Sequence, residues 1–266
     1  MRLRFKLKYE GNRFFPVNYN YFLSSAIYNT LGFANPRFAA YLHDKGYALN
    51  GKKYKLFSFA LRFEEFQIEK NKLKLLSPNV DLIITSVLID DFLKGMVIGA
   101  FRLQEINLVI NGEKFHFAIK QIEEIPKPKF KEKTYFKMLT PMVLSTKETN
   151  PELNSQYYLR YNDDINLINR VFSNNLHNKY SLIKGEPYNG EGVKFSWDKD
   201  YLRRAISKRK NIIKKTTIYS GKNDINVIGN LAPFYLEGDT ELIEIGYEAG
   251  FGEKNSMGFG MATVGR

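Results

Sequence analysis

The chain has 266 residues, of which 44% are hydrophobic and 15% aromatic, and its formal net charge is +12. This length is enough for one large domain or two small ones with buried cores. The absence of cysteine excludes disulfides, thiolate metal centres and cysteine nucleophiles. The three histidines, His43, His116 and His177, are not paired at the spacing of metal ligands. We therefore expect neither a metal site nor a cofactor.

The sequence offers no signal for export or membrane insertion. Its first ten residues, MRLRFKLKYE, alternate basic and apolar side chains, which a signal peptide does not do. No uncharged apolar stretch approaches the length that spans a bilayer. We expect a soluble, cytoplasmic protein.

The excess of positive charge is concentrated in two local runs, residues 126–133 (PKPKFKEK) and 208–215 (KRKNIIKK). Such an excess attracts polyanions, because each neutralised phosphate releases a counterion. A lysine-rich surface that only aids solubility is the alternative. In the second run the basic residues interleave with isoleucines, which indicates a strand with a basic face. Its candidate RNA-binding residues are Lys208, Arg209, Lys210, Lys214 and Lys215.

In the first half of the chain, apolar residues recur with the spacing of strands in some segments and of helices in others. Asn35 followed by Pro36 is a helix-start signal, and Gly46 is a stop signal. Period-two and period-four patterns predict strands over residues 2–9, 54–63, 71–76, 81–86 and 115–122, and helices over 17–31, 36–45 and 89–100.

Prolines and lysines at residues 125–133 interrupt this order, and the pattern then restarts. We therefore predict two domains, residues 1–127 and 128–266. In the second, the patterns predict strands over residues 134–145, 193–197, 211–219, 225–236 and 259–265, and helices over 163–181 and 240–249. The simplest fold is α+β, with two tandem ferredoxin-like (RRM-like) βαββαβ domains. The RRM variant of this fold binds single-stranded RNA on its sheet.

The most distinctive motif in the sequence is GYEAGFGEKNSMGFG, residues 246–260, which has five glycines in fifteen positions. Clustered glycines let the backbone approach a ligand and form an anion-binding nest. A tight, close-packed turn before an edge strand is the alternative. The spacing fits neither a Walker loop nor a Rossmann turn, because Asn255 stands where the third Rossmann glycine belongs.

The run from Gly250 to Gly260, GFGEKNSMGFG, resembles the terminal glycine-rich motif of the repeat-associated mysterious protein superfamily. Within it, the chain is most similar to the stand-alone endoribonucleases that process precursor CRISPR RNA. The segment AIYN…NPRFAAYLHD…KYKLFSF, residues 26–59, extends the likeness to the first half.

The resemblance implies two facing ferredoxin-like domains with RNA bound in the cleft between them. It also implies metal-independent cleavage that leaves a 2′,3′-cyclic phosphate. The expected partner is CRISPR repeat RNA, as precursor and as mature guide, and an RNA-guided effector complex is a further candidate. The loop residues assigned to RNA binding are Gly250, Gly252, Lys254, Ser256, Gly258 and Gly260.

Cutting RNA without a metal requires a proton acceptor, a proton donor and a stabilising charge. His43 lies near the end of a predicted helix, where the dipole favours an imidazolium, and this suits a general acid. Capping or packing is the alternative for an isolated histidine, but the resemblance implies that this one is catalytic. His116 and His177 are expected to be structural.

The resemblance also places a catalytic tyrosine at Tyr28 and a catalytic lysine at Lys55. Tyr28 lies off the apolar stripe of its helix, and it is a candidate general base or 2′-hydroxyl positioner. Lys52 and Lys53 are neighbouring alternatives to Lys55.

Two other functions compete with cleavage. One is a repeat-RNA-binding protein that has lost cleavage, and the other is a structural subunit of an RNA-guided complex. A nucleotide-binding enzyme is less well supported, because no phosphate-loop motif fits.

The charge pattern predicts that RNA affinity falls steeply with salt. Because several phosphates are neutralised, affinity should drop at least about tenfold between roughly 50 and 200 mM salt. Charge reversal at Lys208 and Lys210 should flatten the slope of log affinity against log salt concentration. Affinity that barely changes with salt would contradict the electrostatic interpretation.

Overall fold

We analysed a computed structural model of the chain, which describes residues 1–70, 72–147, 156–219 and 224–265. The first half contains β1 (Arg2–Glu10), β2 (Phe14–Pro16), α1 (Asn20–Ala34), α2 (Pro36–Asp44), β3 (Tyr47–Leu49), β4 (Lys52–Tyr54), β5 (Phe57–Phe63), β6 (Phe66–Glu69), β7 (Lys72–Leu75), β8 (Asn79–Ser86), a π-helical turn (Ile89–Leu93), α3 (Lys94–Leu103), β9 (Glu105–Ile110) and β10 (Glu113–Ile125).

The second half has the same mixture of elements. It contains β11 (Lys133–Met138), β12 (Ser145–Thr146), β13 (Tyr157–Tyr158), α4 (Ile165–Lys184), β14 (Val193–Trp197), α5 (Lys199–Ser207), β15 (Ile213–Tyr219), β16 (Asp224–Asn230), β17 (Phe234–Gly238), α6 (Thr240–Ala249), a 3₁₀ turn (Asn255–Met257) and β18 (Ala262–Val264).

The first sheet is antiparallel, with the strand order β5-β8-β1-β10-β9. Without the edge strand β9, this is the order of a βαββαβ unit in which the first strand is central and pairs with the third and fourth. Strand β1 illustrates how the sequence forms this sheet. Its apolar residues Leu3, Phe5 and Leu7 are buried, and the charged residues between them face outward.

The second sheet repeats this order as β14-β17-β11-β18. The predicted pair of ferredoxin-like units is therefore confirmed. Each sheet has its own hydrophobic core, one centred on Phe5 and Ile27 and the other on Phe172 and Phe234. The division of the chain between residues 127 and 128 stays a prediction.

Several predicted boundaries were wrong, and prolines explain two of them. The strand predicted over 134–145 ends at Met138, because Pro141 cannot donate to a ladder. The strand predicted over 225–236 is two strands in different sheets, β16 and β17, on either side of Pro233. The prediction also missed the edge strand β9 and the short helix α5.

The two units are joined by a buried arginine at the start of the chain. Arg2 donates from Nη1 to the carbonyl of Ala262 (2.9 Å) and from Nη2 to the carbonyl of Tyr247 (3.0 Å). Its guanidinium also lies 3.8 Å from the centre of the Tyr247 ring, and burial lowers the pKa of Arg2 to about 10. Both terminal nitrogens of Arg2 thus bond to the second unit, which links the two sheets.

The glycine-rich loop lies between α6 and β18 and packs tightly. Gly250, Gly252, Gly258 and Gly260 all have positive φ, between 74° and 87°, and all are buried. A Cβ on Gly252 would overlap the carbonyl oxygen of Val143. The glycines are therefore required by backbone conformation and by close packing.

This packing predicts a difference between two glycine-to-alanine substitutions. Gly112 also has a positive φ (+82°), but a Cβ there would meet nothing within 4 Å. Gly112→Ala should cost only the left-handed strain, about 1–2 kcal/mol. Gly252→Ala should lower the free energy of unfolding by about 1–3 kcal/mol more, because it adds a steric overlap. Equal losses in urea unfolding would show that the loop has room to adapt.

Candidate active site

A cleft that contains two of the predicted catalytic residues, Tyr28 and His43, lies between α1 and α2. Its volume is about 640 Å³, and Tyr28, Asn29, His43 and Asp44 line it. Both helices place these side chains by their periodicity. Leu23, Ile27 and Leu31 of α1 turn into the core, as does Leu42 of α2, so Tyr28 and His43 lie at the cleft.

The structure brings Tyr28 and His43 together. Their ring centres are 5.1 Å apart, and the rings meet edge to face at 90°. Tyr28 also packs edge to face against the buried Phe57, with ring centres 5.7 Å apart. The tyrosine ring is therefore held between the core and the imidazole, while the imidazole faces the cleft.

The phenol of Tyr28 is held in its neutral form. Burial raises its pKa well above the usual value of 10, and a hydrogen bond with the side chain of Ser256 acts in the opposite, weaker direction. The phenol therefore keeps its proton at neutral pH.

The imidazole of His43 is exposed and oriented by its neighbour. Its Nδ1 lies 2.7 Å from Oδ1 of Asp44, and the side chain is 63% exposed. The same hydrogen bond lowers the pKa of Asp44, so the carboxylate is ionised and must accept. The proton is then on Nδ1 of His43, and Nε2 remains for proton exchange.

Three lysines near the end of α2 have different partners. Lys55 Nζ donates to the carbonyls of Leu42 and His43, the latter at 2.7 Å, and so satisfies the C-terminal carbonyls of α2. Burial lowers the pKa of Lys55. Lys53 Nζ lies 3.3 Å from the carbonyl of Asp44, whereas Lys52 pairs with Glu253 at 2.6 Å. Lys55 and Lys53 therefore bond to the end of α2 that carries His43 without lining the cleft itself, and Lys52 points to the other domain.

The predicted RNA-binding residues differ in exposure. Lys208, Arg209, Lys210 and Lys215 are exposed, while Lys214, Lys254 and Ser256 are half-buried. Residues 208–212 do not form the predicted basic strand face. They are the turn after α5, and β15 starts only at Ile213.

Comparisons with known proteins identify the family of the chain. The family described as CRISPR-associated protein Cas6, N-terminal, matches residues 14–123, and the Cas6 C-terminal family matches residues 123–264. A CRISPR-associated endoribonuclease Cas6 of Methanocaldococcus jannaschii is 32% identical over 99% of this chain and 92% of its own length. The chain belongs to the Cas6 family.

Two further relatives come from Pyrococcus furiosus. Its CRISPR-associated endoribonuclease Cas6 is 27% identical, over 94% of this chain and 83% of its own length. The structure of the product of a Cas6-related gene has a TM-score of 0.79 at 24% identity, covering 100% of this chain and 98% of that one. That structure shows the same fold. The family resemblance inferred from the glycine-rich motif is confirmed.

The sequence reasoning missed a buried lysine that organises the Cas6 glycine-rich loop. Lys179 is 1% exposed, and its amine donates to the carbonyls of Gly250 (2.5 Å) and Gly252 (2.8 Å) and to Oδ1 of Asn255 (2.9 Å). Burial lowers its pKa to about 7, and Glu253 acts in the opposite direction. The signal was available, because Lys179 continues the buried stripe of Phe172 and Leu176 on α4.

Part of the basic run at 126–133 is neutralised within the fold. Lys127 pairs with Glu244 of α6, and Lys133 lies 3.2 Å from Glu237 of β17. These two lysines therefore contribute less to a polyanion-binding surface than the exposed residues 208–210.

Neither a metal-binding cluster nor a membrane-spanning helix accompanies the cleft within the described residues. Across the described ranges, no three His, Cys, Asp or Glu side chains are grouped to hold a metal ion. No helix within those ranges combines the length and apolarity needed to cross a membrane.

Proposed function

We propose that this chain is an endoribonuclease that cuts CRISPR repeat RNA within the precursor transcript to release guide RNAs. The observation that carries the proposal is the Tyr28–His43 pair, which faces an open cleft in a chain of the Cas6 family. The curated relatives named as CRISPR-associated endoribonucleases support the same activity.

The chemistry we propose is attack by the ribose 2′-hydroxyl on the adjacent phosphate, without a metal. The bond from phosphorus to the 5′-oxygen breaks, the proton of the attacking 2′-hydroxyl passes to water, and the upstream fragment ends in a 2′,3′-cyclic phosphate. In its imidazolium form, with Nδ1–H bonded to Asp44, His43 gives the proton on its accessible Nε2 to the departing 5′-oxygen and becomes neutral. Asp44 thereby orients the acid, as carboxylates commonly orient catalytic imidazoles.

Tyr28 acts as a positioner of the 2′-hydroxyl. A general base must give up its own proton near the working pH, and the raised pKa of Tyr28 prevents this. A neutral phenol is still a hydrogen-bond donor and acceptor, and the edge-on His43 places it beside the proton donor. Of the two roles that the sequence left open, this geometry favours positioning.

Lys55 contributes a fixed positive charge from behind the histidine. Its ammonium bonds to the His43 carbonyl, so it supports the end of α2 and raises the electrostatic potential at the cleft. Lys53 adds a second charge on the same side.

The RNA path proposed for this chain uses the exposed basic residues 208–210 together with Lys215 and Lys254. The loop glycines are buried and packed closely, so their role is to set the conformation of the loop and not to contact RNA themselves. Contact with RNA then falls to the half-buried side chains of that loop.

Replacing His43 tests the chemistry. His43→Ala should slow single-turnover cleavage about 10²–10⁴-fold, since a proton donor is lost. Binding should persist, because phosphate contacts dominate the interface. His116→Ala is the matched control, since His116 bonds to Asn107 outside the cleft. Synthetic CRISPR repeat RNAs on denaturing gels, in buffer containing EDTA, supply the measurement.

The nucleophile is tested with a single 2′-deoxy substitution at the scissile nucleotide. The deoxy RNA should bind normally and resist cleavage. Cleavage of that RNA would make water the nucleophile and would overturn the roles given to Tyr28 and His43. Tight binding of repeat RNA without any cleavage would instead show a non-cleaving binding protein.

A further inference from the structure

The cleft between α1 and α2 continues past the Tyr28–His43 pair toward the junction of the two helices. Tyr28, Asn29, Gly32 and Phe33 line it from α1. These residues recur at spacings of three and four, so they share one face of the helix. At a rise of about 1.5 Å per residue, Phe33 lies roughly 7–8 Å along α1 from Tyr28. The cleft therefore offers space beside the candidate catalytic pair that the pair itself does not use.

Small residues line the cleft between Tyr28 and Phe33. They are Gly32 of α1 and Ala39 and Ala40 of α2. A Cβ on Gly32 would lie 3.9 Å from the Cβ of Ala39, which is an ordinary van der Waals distance. The whole cleft has a volume of about 640 Å³, within the roughly 300–1,000 Å³ typical of pockets for small ligands. This part of the cleft can therefore accept a planar group.

The ring of Phe33 is available at the end of the cleft. The residue is 55% exposed, and none of the ring pairs formed by the described residues includes it. Its backbone is held from α3, where Arg102 Nη1 donates to the Phe33 carbonyl at 2.8 Å. A single exposed aromatic residue is common on protein surfaces, but Phe33 lines the cleft that contains Tyr28 and His43. An open aromatic face beside an RNA strand is a platform on which a nucleobase stacks.

Asn29 supplies the polar group that can distinguish one base from another. It is exposed one helical turn before Phe33, and its amide has no hydrogen-bond partner among the described residues. An amide offers two donors and an acceptor, and the side chain of asparagine matches the N6 and N7 edge of adenine. The exposed Arg102, bonded to the Phe33 carbonyl, has further N–H groups that can bond to a phosphate. The end of the cleft thus combines a stacking surface, a base-reading amide and a cation.

We propose that this end of the cleft is a nucleobase subsite, in which an unpaired base of the RNA next to the cut stacks on Phe33 and bonds to Asn29. The subsite rests on the proposed function, because the Tyr28–His43 pair locates the cut. Stacking accepts any base, whereas the Asn29 amide favours adenine. The subsite therefore holds the strand beside the catalytic pair and gives the enzyme a preference for adenine at one position.

The experiment measures binding of a synthetic CRISPR repeat RNA with 2′-fluoro riboses, which lacks the attacking hydroxyls. One nucleotide at a time is replaced by an abasic residue, and the cut is mapped separately on unmodified RNA. In wild type, one abasic position within about two nucleotides of the cut should weaken affinity about tenfold, through loss of a base–aromatic stack. Phe33→Ala should weaken binding of the intact RNA by a similar factor. The abasic residue should then cause no further loss, because both changes remove one contact.

Three variants control for general damage. Phe101→Ala removes another exposed phenylalanine, 77% exposed on α3, that does not line the cleft. It should change affinity less than about twofold, because no stack is lost. Phe33→Tyr keeps the ring and should bind like wild type. Gly32→Leu fills the space beside the ring and should weaken binding as Phe33→Ala does, while the room for a Cβ at Gly32 lets α1 form normally.

The contribution of Asn29 is tested by varying the base at the sensitive position. Wild type should bind the RNA with adenine there about tenfold more tightly than RNAs with the other bases, as expected for a good amide pair. Asn29→Ala should bind all four RNAs within about twofold of one another. An unchanged preference for adenine in Asn29→Ala would contradict base reading by this amide.

Three results would overturn the subsite. The first is that no abasic penalty disappears in Phe33→Ala. The second is equal weakening by Phe33→Ala and Phe101→Ala. The third is a sensitive position more than about four nucleotides from the cut, which is too far for one cleft. Because these RNAs are not cut, wild type that binds but leaves unmodified repeat RNA intact would overturn the proposed cleavage, while the abasic scan still decides whether a base stacks on Phe33.

Discussion

The three hydrogen bonds of the buried Lys179 amine are the constraint on which the rest of the structure depends. They bind two carbonyls and one side chain of a loop whose glycines take left-handed conformations. An ammonium has three protons, so these acceptors complete its bonding and offset part of the cost of burial, which still lowers the pKa of Lys179 to about 7. Because the loop is fixed, its outer face can form a defined surface against α1 and join the two ferredoxin-like units.

The division of labour between the units follows from this constraint. The first unit supplies the groups that exchange or direct protons, on two helices packed over its sheet. The second unit supplies little chemistry of its own at that cleft, but it holds the loop whose carbonyls bond to Asn20 and Ser24 of α1, the helix that carries Tyr28. His43 is exposed and bonded to an ionised neighbour, whereas Tyr28 is kept neutral by burial. The two rings are therefore in contact although one is exposed and the other is partly buried. The exposed His43 suits a proton donor, and the partly buried, neutral Tyr28 suits a positioning group.

Local signals determined which parts could be predicted from the sequence. Helix α6 was predicted at its observed bounds, because Asp239 caps its start and Gly250 follows its end. The boundary between β16 and β17 was missed although Pro233 marks it, and their assignment to different sheets is set by the tertiary fold. For the site, motif resemblance indicated Tyr28 and His43, and the structure places them in contact. The bond from Ser24 to the carbonyl of Ser256 joins residues far apart in the chain, and no periodicity carries that information.

The pH dependence of unfolding in wild type and Lys179→Met tests most directly whether a buried amine holds the loop. Burial lowers the pKa of Lys179 from its usual 10.5 to about 7, so between these values the unfolded chain binds one more proton than the folded chain. The cost of burying Lys179 in its protonated form is therefore absent above pH 10 and grows as the pH falls toward 7. Lys179→Met removes the titrating group, so the stability of wild type relative to the variant should rise from pH 7 to 9, by up to about 1.4 kcal/mol per pH unit. Urea-unfolding free energies that run parallel for the two proteins across this range would contradict a buried, loop-holding amine.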